Sequence, residues 1–184
     1  MTVNRREGQG ATPKKTAVGP PPRVRLWLVR HAPAEDARAF SGPDLARPLT
    51  RKGRASARQA FRGLARLAEA PTRIVTSSAL RAVQTAELLA KVWAARAAPV
   101  EDARLAPGAS PARIRAVIRD YAEPGTTLAL VGHEPDLGNL VSRLTGLWEA
   151  DFKKAGVAEL DLAPDGKQAA LRAWLPPRVL RNAG

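Results

Sequence analysis

The sequence predicts a single α/β domain with three layers, in which a mostly parallel sheet lies between helices and ends in a C-terminal antiparallel hairpin. Short apolar segments alternate along the chain with longer amphipathic segments, which is typical of a parallel sheet with helices on both faces. Two apolar segments near the C-terminus are instead joined directly through Pro164-Asp165-Gly166, which predicts the hairpin. The chain contains no visible internal repeat.

The first 22 residues differ in composition from the rest of the chain. They contain several glycines, the run Pro20-Pro21-Pro22 and basic residues, but almost no large apolar side chain. Such a segment buries too little apolar surface to fold, so residues 1–22 are predicted to form a disordered basic tail. The remaining residues, 23–184, fit one domain of ordinary size.

The first part of the domain is predicted to contain a buried strand and a long helix. Residues 24–29 are apolar and β-prone, as expected for a short strand. Thr50 is a typical N-cap for a helix over residues 51–69, which Pro71 ends. Residues at helical spacing form the predicted apolar face, which comprises Ala57, Ala60, Phe61, Leu64, Leu67 and Ala68.

The later helices are predicted mainly from their caps. Ser77 or Ser78 caps a helix that extends to about residue 94, and Ser110 followed by Pro111 opens another. Gly146 ends a further helix, which begins within residues 134–136. The remaining apolar segments are predicted strands, over residues 73–76, 99–101, 127–131, 156–162 and 168–175.

Composition excludes several classes of protein. The absence of cysteine rules out disulfides, thiolate metal ligands and a cysteine nucleophile, and two histidines argue against a histidine-rich metal centre. No apolar segment approaches the length that spans a membrane, and the N-terminus lacks a hydrophobic signal core. We therefore expect a cytoplasmic protein that does not bind a membrane and requires no metal or other cofactor.

The formal net charge of +13 has two explanations. It reflects either a surface rich in arginine or a partner that carries phosphate groups. Aromatic residues make up only 4% of the chain and do not interleave with the cations, which argues against nucleic acid as a partner. A phosphorylated protein or a small phosphorylated molecule is the expected partner.

A stripe of four arginines, spaced four residues apart, follows one face of the first predicted helix. Like charges at this spacing destabilise a helix by about 0.2–0.5 kcal/mol per pair. The stripe is either a solvated face or a docking face for an acidic partner. It comprises Arg54, Arg58, Arg62 and Arg66.

The two histidines occur in matching contexts. His31 ends the segment Leu28-Val29-Arg30-His31, and His133 ends the segment Leu130-Val131-Gly132-His133. Each histidine thus follows an apolar strand directly, and ligands in open α/β sheets bind beyond the carboxyl ends of the strands. We expect both imidazoles to face the same crevice.

Arginines and hydroxyl groups accompany the histidines. Arg30 precedes the first histidine, and Arg81 lies in the first turn of the helix that follows Ser78. A helix N-terminus with free N–H groups is an anion site, and a guanidinium group matches phosphate oxygens in a bidentate fork. Ser78 and Thr50 are further candidates for contact with a phosphate group.

These motifs, in this order and spacing, resemble the histidine phosphatase superfamily, and the compact size resembles its SixA-type phosphohistidine phosphatase branch. The resemblance extends from about residue 23 to the C-terminus. The segments that carry it are Val29-Arg30-His31-Ala32, Arg47-Pro48-Leu49-Thr50, Ser78-Ala79-Leu80-Arg81-Ala82-Val83-Gln84-Thr85-Ala86 and Val131-Gly132-His133.

The resemblance implies a metal-independent phosphatase. His31 would attack phosphorus and form a phosphohistidine intermediate that water then hydrolyses, while Arg30, Arg81 and His133 would bind the phosphoryl oxygens. Such a reaction depends mainly on positioning and on electrostatic stabilisation of the equatorial oxygens. His31 must offer a neutral ring nitrogen, so its other nitrogen is expected to donate to a backbone carbonyl.

The chain departs from the family pattern at two places. Ala32 stands where many relatives carry glycine, and residues 105–109 lack the glutamate that phosphoglycerate mutases place there as a proton donor. An alkoxide leaving group needs that proton more than a phosphoramidate or anhydride does. The sequence thus favours a phosphohistidine or pyrophosphate-type substrate. Four carboxylates are candidate substitutes for the donor: Glu35, Asp36, Glu101 and Glu134.

Other functions within this fold stay open. A mutase or a nucleotide phosphatase would use the same nucleophile, although the missing glutamate argues against a mutase. A non-catalytic phosphate-binding module is a further alternative, which usually involves the loss of a catalytic residue. Here Arg30, His31, Arg81 and His133 are all present.

Overall fold

A computed structural model describes residues 23–93, 98–147 and 152–183. The predicted tail over residues 1–22 and the predicted helix end at residue 94 lie outside this part. The described elements are β1 (Val24–Arg30), α1 (Arg51–Leu67), β2 (Arg73–Thr76), α2 (Leu80–Val92), β3 (Val100–Glu101), α3 (Pro111–Tyr121), β4 (Thr127–Gly132), α4 (Asp136–Thr145), β5 (Val157–Leu162), β6 (Ala169–Leu175) and α5 (Pro177–Asn182).

The strands form one mixed sheet in the order β3-β2-β4-β1-β5-β6. The strands β3, β2, β4 and β1 are parallel to one another, whereas β5 is antiparallel to β1 and to β6. The predicted α/β class, the mostly parallel sheet and the C-terminal antiparallel hairpin are confirmed.

The central strands bury side chains on both faces of the sheet. In β1, Trp27 and Val29 belong to one apolar core, and Leu26 and Leu28 belong to the other. The first core also contains residues of α1, α2 and α5, while the second contains residues of α3 and α4. Because side chains alternate along a strand, this division gives the predicted three layers.

The caps of α1 and α3 agree with the sequence predictions. The Thr50 hydroxyl accepts a hydrogen bond from the Gly53 N–H at 2.8 Å, and the Ser110 hydroxyl accepts one from the Arg113 N–H. However, α1 ends at Leu67, two residues earlier than predicted, and the Leu67 side chain is exposed rather than part of the apolar face. The next residue, Ala68, is partly buried and packs against the core, so the apolar face continues without Leu67.

The predicted cap of α2 is wrong. Its N-cap is Ala79, which has no side chain able to accept a hydrogen bond, and not Ser77 or Ser78. The Ser77 hydroxyl contacts the ring of His133, at the end of the neighbouring strand β4, and accepts from the Ala79 N–H, so it does not cap the first turn.

The sequence prediction missed the C-terminal helix α5, which packs against α1. Leu180 is its fully buried contact with the core, and the Arg181 guanidinium donates to the Ser56 hydroxyl of α1. The arginine stripe of α1 lies mostly in solvent, with Arg54 half-buried and the other three exposed. In the described part of the chain, no helix has the length and hydropathy needed to cross a membrane.

A substitution at Gly53 tests how closely the N-terminus of α1 packs against the loop that follows His31. A Cβ atom at this position would overlap the Pro33 carbonyl oxygen, in the loop that follows His31. We expect Gly53→Ala to lower the free energy of unfolding by about 1–3 kcal/mol, despite alanine's higher helix propensity, because backbone must move. Chemical denaturation measures this change.

Gly138→Ala, in the interior of α4, is the matched control. Its Cβ would meet only the end of the flexible Glu134 side chain, so we expect a smaller loss. A Gly53→Ala protein as stable as the wild type would contradict the close packing of α1 against the loop.

Candidate active site

The two histidines meet in a cleft at the carboxyl ends of β1 and β4. The strands pair in register, with Arg30 opposite Gly132, and the His31 N–H donates to the Gly132 carbonyl at 3.0 Å. The cleft has a volume of about 720 Å³. Its lining consists of Arg30, His31, Ala34, Glu35, Asp36, Ala37, Arg47, Thr50, Arg81, Pro107, His133, Glu134 and Lys154.

His31 has the tautomer that a nucleophile requires. Its Nδ1 lies 2.8 Å from the Ala32 carbonyl oxygen, which only accepts, so Nδ1 carries the proton and Nε2 keeps its lone pair. Burial, with smaller effects of the nearby Arg81 and Arg30 charges, lowers the pKa of His31 to about 4. The imidazole is therefore neutral at physiological pH.

His133 lies beside His31, with ring centroids 5.2 Å apart. Its Nε2 is 2.8 Å from the Ser77 hydroxyl, and that hydroxyl also accepts from the Ala79 N–H. We therefore assign the Ser77 hydroxyl as the donor in this contact and His133 Nε2 as the acceptor. The single proton of the neutral His133 ring then lies on Nδ1. Burial and the neighbouring His31 lower the pKa of His133 to about 3.

Two arginines of the site are held by contacts that sequence reasoning did not find. Arg30 donates to the Phe152 carbonyl, which holds its guanidinium at the end of β1. Arg81, only 3% exposed, donates to both the backbone carbonyl and the carboxylate of Asp44. Asp44 also receives two hydrogen bonds from Arg47, and these contacts, with Arg47 the larger, lower its pKa.

The loop after His31 is fixed from α2. The Thr85 hydroxyl accepts from the Ala32 N–H at 3.0 Å and donates to the Arg81 carbonyl at 2.6 Å. One buried side chain thus links the backbone next to the nucleophile candidate with the backbone of Arg81. Thr85 was part of the sequence motif, but the sequence did not indicate this function.

The candidate carboxylates differ in their position. Glu35 and Asp36 lie at the rim of the cleft, and Glu134 lies half-buried within it, directly after His133. Glu101 does not line the cleft and belongs to the short edge strand β3. Among the candidate hydroxyls, Thr50 lines the cleft and Ser78 does not.

Residues 105–109, where the sequence lacks a glutamate, are anchored to α4. The Asp136 carboxylate, 7% exposed, accepts from the Gly108 N–H at 2.8 Å and from the Ala109 N–H at 3.1 Å. Pro107 of this segment lines the cleft. The loop thus closes one side of the site with backbone and a proline ring, without contributing a carboxylate of its own.

Comparison with known proteins identifies the class. The model of the histidine phosphatase superfamily (branch 1) matches residues 26–107. An uncharacterised protein from Picosynechococcus sp. is 38% identical over 141 residues, which are 74% of this chain and 84% of that protein. The chain belongs to the histidine phosphatase superfamily, and the expectation that it is a phosphatase is confirmed.

Solved structures of SixA-type proteins share the fold. A protein from Agrobacterium tumefaciens, described as a SixA phosphohistidine phosphatase, has a TM-score of 0.69 and 25% identity, covering 83% of this chain and 97% of that chain. The protein histidine phosphatase SixA in complex with tungstate has a TM-score of 0.70 and 23% identity. The match covers 85% of this chain and 99% of that chain. The resemblance to this branch agrees with the sequence prediction.

The lowered pKa values of His31 and His133 predict how the imidazoles titrate. Because the chain has two histidines, NMR can follow both rings directly. We expect both rings to stay neutral at pH 6 and to protonate near pH 4 and pH 3, as burial and neighbouring cations disfavour the charged form. A midpoint near 6.5 for either ring would contradict the buried, cation-flanked environment.

The same shifts predict a pH dependence of stability. In the unfolded chain the histidines protonate near the ordinary pKa of 6.5, well above their folded values. The unfolded state therefore binds more protons as the pH falls below 6.5, and the free energy of unfolding decreases towards pH 4. Chemical denaturation at several pH values measures this decrease. We expect His31→Gln to reduce the slope of the free energy of unfolding against pH.

Ser77 is predicted to position His133. We expect Ser77→Ala to lower kcat/KM about tenfold or more, because His133 loses the hydrogen bond that fixes its tautomer. Ser78→Ala is the matched control, and we expect it to retain activity within about twofold because Ser78 does not line the cleft. Equal losses in the two variants would show that the Ser77 contact has no special function.

Proposed function

We propose that the protein hydrolyses phosphorylated substrates through a covalent phosphohistidine intermediate on His31. The observation that carries the proposal is the fixed tautomer of His31: a hydrogen bond to the Ala32 carbonyl leaves Nε2 unprotonated in a cleft lined by cations. A neutral imidazole nitrogen with a free lone pair is a competent phosphoryl acceptor.

The cations would stabilise the transferring phosphoryl group. Arg30, Arg47, Arg81 and Lys154 line the cleft, and guanidinium groups match the geometry of phosphate oxygens. Phosphoryl transfer needs charge stabilisation at the three equatorial oxygens more than it needs covalent chemistry from the protein. His133, with a proton on Nδ1, would add a neutral donor.

The reaction would proceed in two displacements. In the first, His31 Nε2 forms a bond to phosphorus as the bond from phosphorus to the leaving group breaks. In the second, water attacks phosphorus, the phosphorus–nitrogen bond breaks, and inorganic phosphate leaves with neutral His31 restored. A proton donor in the first step can serve as the base that accepts the water proton in the second.

The substrate class follows from the proton donor. Residues 105–109 contribute only backbone and Pro107 to the site, which favours substrates whose leaving group needs little protonation, such as phosphohistidine or a pyrophosphate. The SixA neighbour that binds tungstate is a protein histidine phosphatase, which supports a phosphohistidine protein as the first candidate.

A second candidate is a small phosphate monoester. The half-buried Glu134 lies in the cleft directly after His133, where it could donate a proton to an alkoxide. A sugar phosphate or nucleotide would then be hydrolysed efficiently in spite of the missing glutamate at residues 105–109. The leaving-group dependence of the reaction separates the two candidates.

The nucleophile is tested by replacing His31. We expect His31→Ala to lower turnover of a chromogenic aryl phosphate by at least about 10³-fold, since the variant lacks the ring nitrogen that would accept the phosphoryl group in the first step. Arg58→Ala, on the exposed face of α1, is the control variant. Equal turnover by wild type and a folded His31→Ala protein would refute the assignment.

The substrate is tested by comparing leaving groups. We expect the wild type to favour phosphohistidine over an alkyl phosphate by about 10²-fold or more, the range attributed to a general acid. Glu134→Gln should then leave phosphohistidine hydrolysis nearly unchanged. Comparable rates on both substrates, with loss of alkyl phosphate hydrolysis in Glu134→Gln, would favour the monoester candidate instead.

A further inference from the structure

A second cleft lies at the opposite end of the sheet from the histidines. It is bounded by α3 and by the turn between β5 and β6, and its volume is about 600 Å³. The lining residues are Arg23, Val24, Ala112, Arg115, Ile118, Arg119, Ala122, Pro124, Leu162, Ala163, Pro164, Asp165 and Gly166. Val24 begins β1 and Arg30 ends it, so about 20 Å of strand separate this α3 cleft from the active site.

The floor of the α3 cleft is apolar. Ile118 and Leu162 are 4% and 5% exposed, and they reach it from α3 and from the end of β5. Val24 and Ala122 are half-buried beside them. A cleft of this volume with an apolar floor is typical of sites that enclose a small molecule.

The rim of the α3 cleft is cationic. It carries Arg23, Arg115 and Arg119, and within the described ranges their guanidinium groups have no hydrogen bond or ion pair. The one acidic residue of the lining, Asp165, accepts a hydrogen bond from the Lys167 N–H and so belongs to its own turn.

Acidic residues near the rim are already engaged elsewhere. Asp120 pairs with Arg104 at 2.6 Å, and Glu123 lies 3.9 Å from Arg73. The positive charge of the three rim arginines is therefore not neutralised by these neighbours. An anion at the mouth of the cleft would meet several guanidinium donors while its apolar part contacts the floor.

We propose that the α3 cleft is a binding site for a small amphipathic anion, with an apolar body and one carboxylate, sulfonate or phosphate head group. The apolar body lies on Ile118 and Leu162, and the head group lies among Arg23, Arg115 and Arg119. This site is separate from the phosphatase cleft and does not depend on the function proposed there.

The probe for this site is 8-anilinonaphthalene-1-sulfonate, whose fluorescence increases in an apolar environment. We expect saturable binding of one probe per chain, with unchanged affinity in Lys154→Glu, a variant that reverses an exposed charge of the catalytic cleft. A loss of probe affinity of about tenfold or more in Lys154→Glu would place the probe in the catalytic cleft and overturn the proposal. Non-saturable binding would overturn it as well.

Charge-reversed variants test the rim. Arg115→Glu combined with Arg119→Glu should weaken probe binding at least about tenfold, since charge-assisted contacts are replaced by repulsion. Arg58→Glu combined with Arg62→Glu changes the net charge equally on α1 and should keep affinity within about twofold. Similar losses of probe affinity in both double variants would show that the overall charge alone attracts the probe. That result would contradict a defined binding site in the α3 cleft.

Two further measurements test the floor and the head group. Ala112→Trp, which places a large side chain at the cleft, should abolish binding while aryl phosphate turnover and thermal stability stay at wild-type values. Decanoate and decyl phosphate should both displace the probe, and decyltrimethylammonium should not. Displacement by the cationic amphiphile, or probe binding unchanged in Ala112→Trp, would overturn the proposal.

Discussion

The in-register pairing of β1 with β4 is the constraint on which the site depends. Apolar side chains on both faces of these strands enter two separate cores, and a shift of one residue would exchange the faces. A change of register would therefore expose buried apolar side chains and greatly destabilise the fold. The observed register places Arg30 opposite Gly132. The residues that follow, His31 and His133, consequently leave the sheet side by side, with their ring centroids 5.2 Å apart.

Burial and positive charge act together on the two imidazoles. Desolvation disfavours their protonated forms, and the guanidinium groups of Arg81 and Arg30 add to the effect at His31. The same cations that would attract a phosphoryl group thus add to the effect of burial, which keeps the His31 imidazole neutral. Contacts from outside the cleft maintain this balance: Asp44 holds Arg81, and Ser77 orients His133.

Much of the fold and the centre of the site could be predicted from local sequence patterns. The apolar strands, the Thr50 cap and the position of both histidines at strand ends are properties of a few adjacent residues. The contacts between distant residues could not be predicted, such as Asp44 with Arg81, 37 residues apart, and Ser77 with His133, 56 residues apart. Adjacent serines look equivalent in sequence, but the direction of the chain after β2 turns Ser77, and not Ser78, towards the second histidine.

The central claim is that His31 Nε2 becomes phosphorylated during turnover. Rapid quenching in alkali, where phosphohistidine is stable, followed by mass spectrometry of peptides tests this most directly. We expect a phosphoryl group on the peptide that contains His31, formed at least as fast as turnover and absent after brief acid treatment. A phosphoryl group on the His133 peptide instead, or turnover without any phosphorylated peptide under conditions that preserve phosphohistidine, would contradict it.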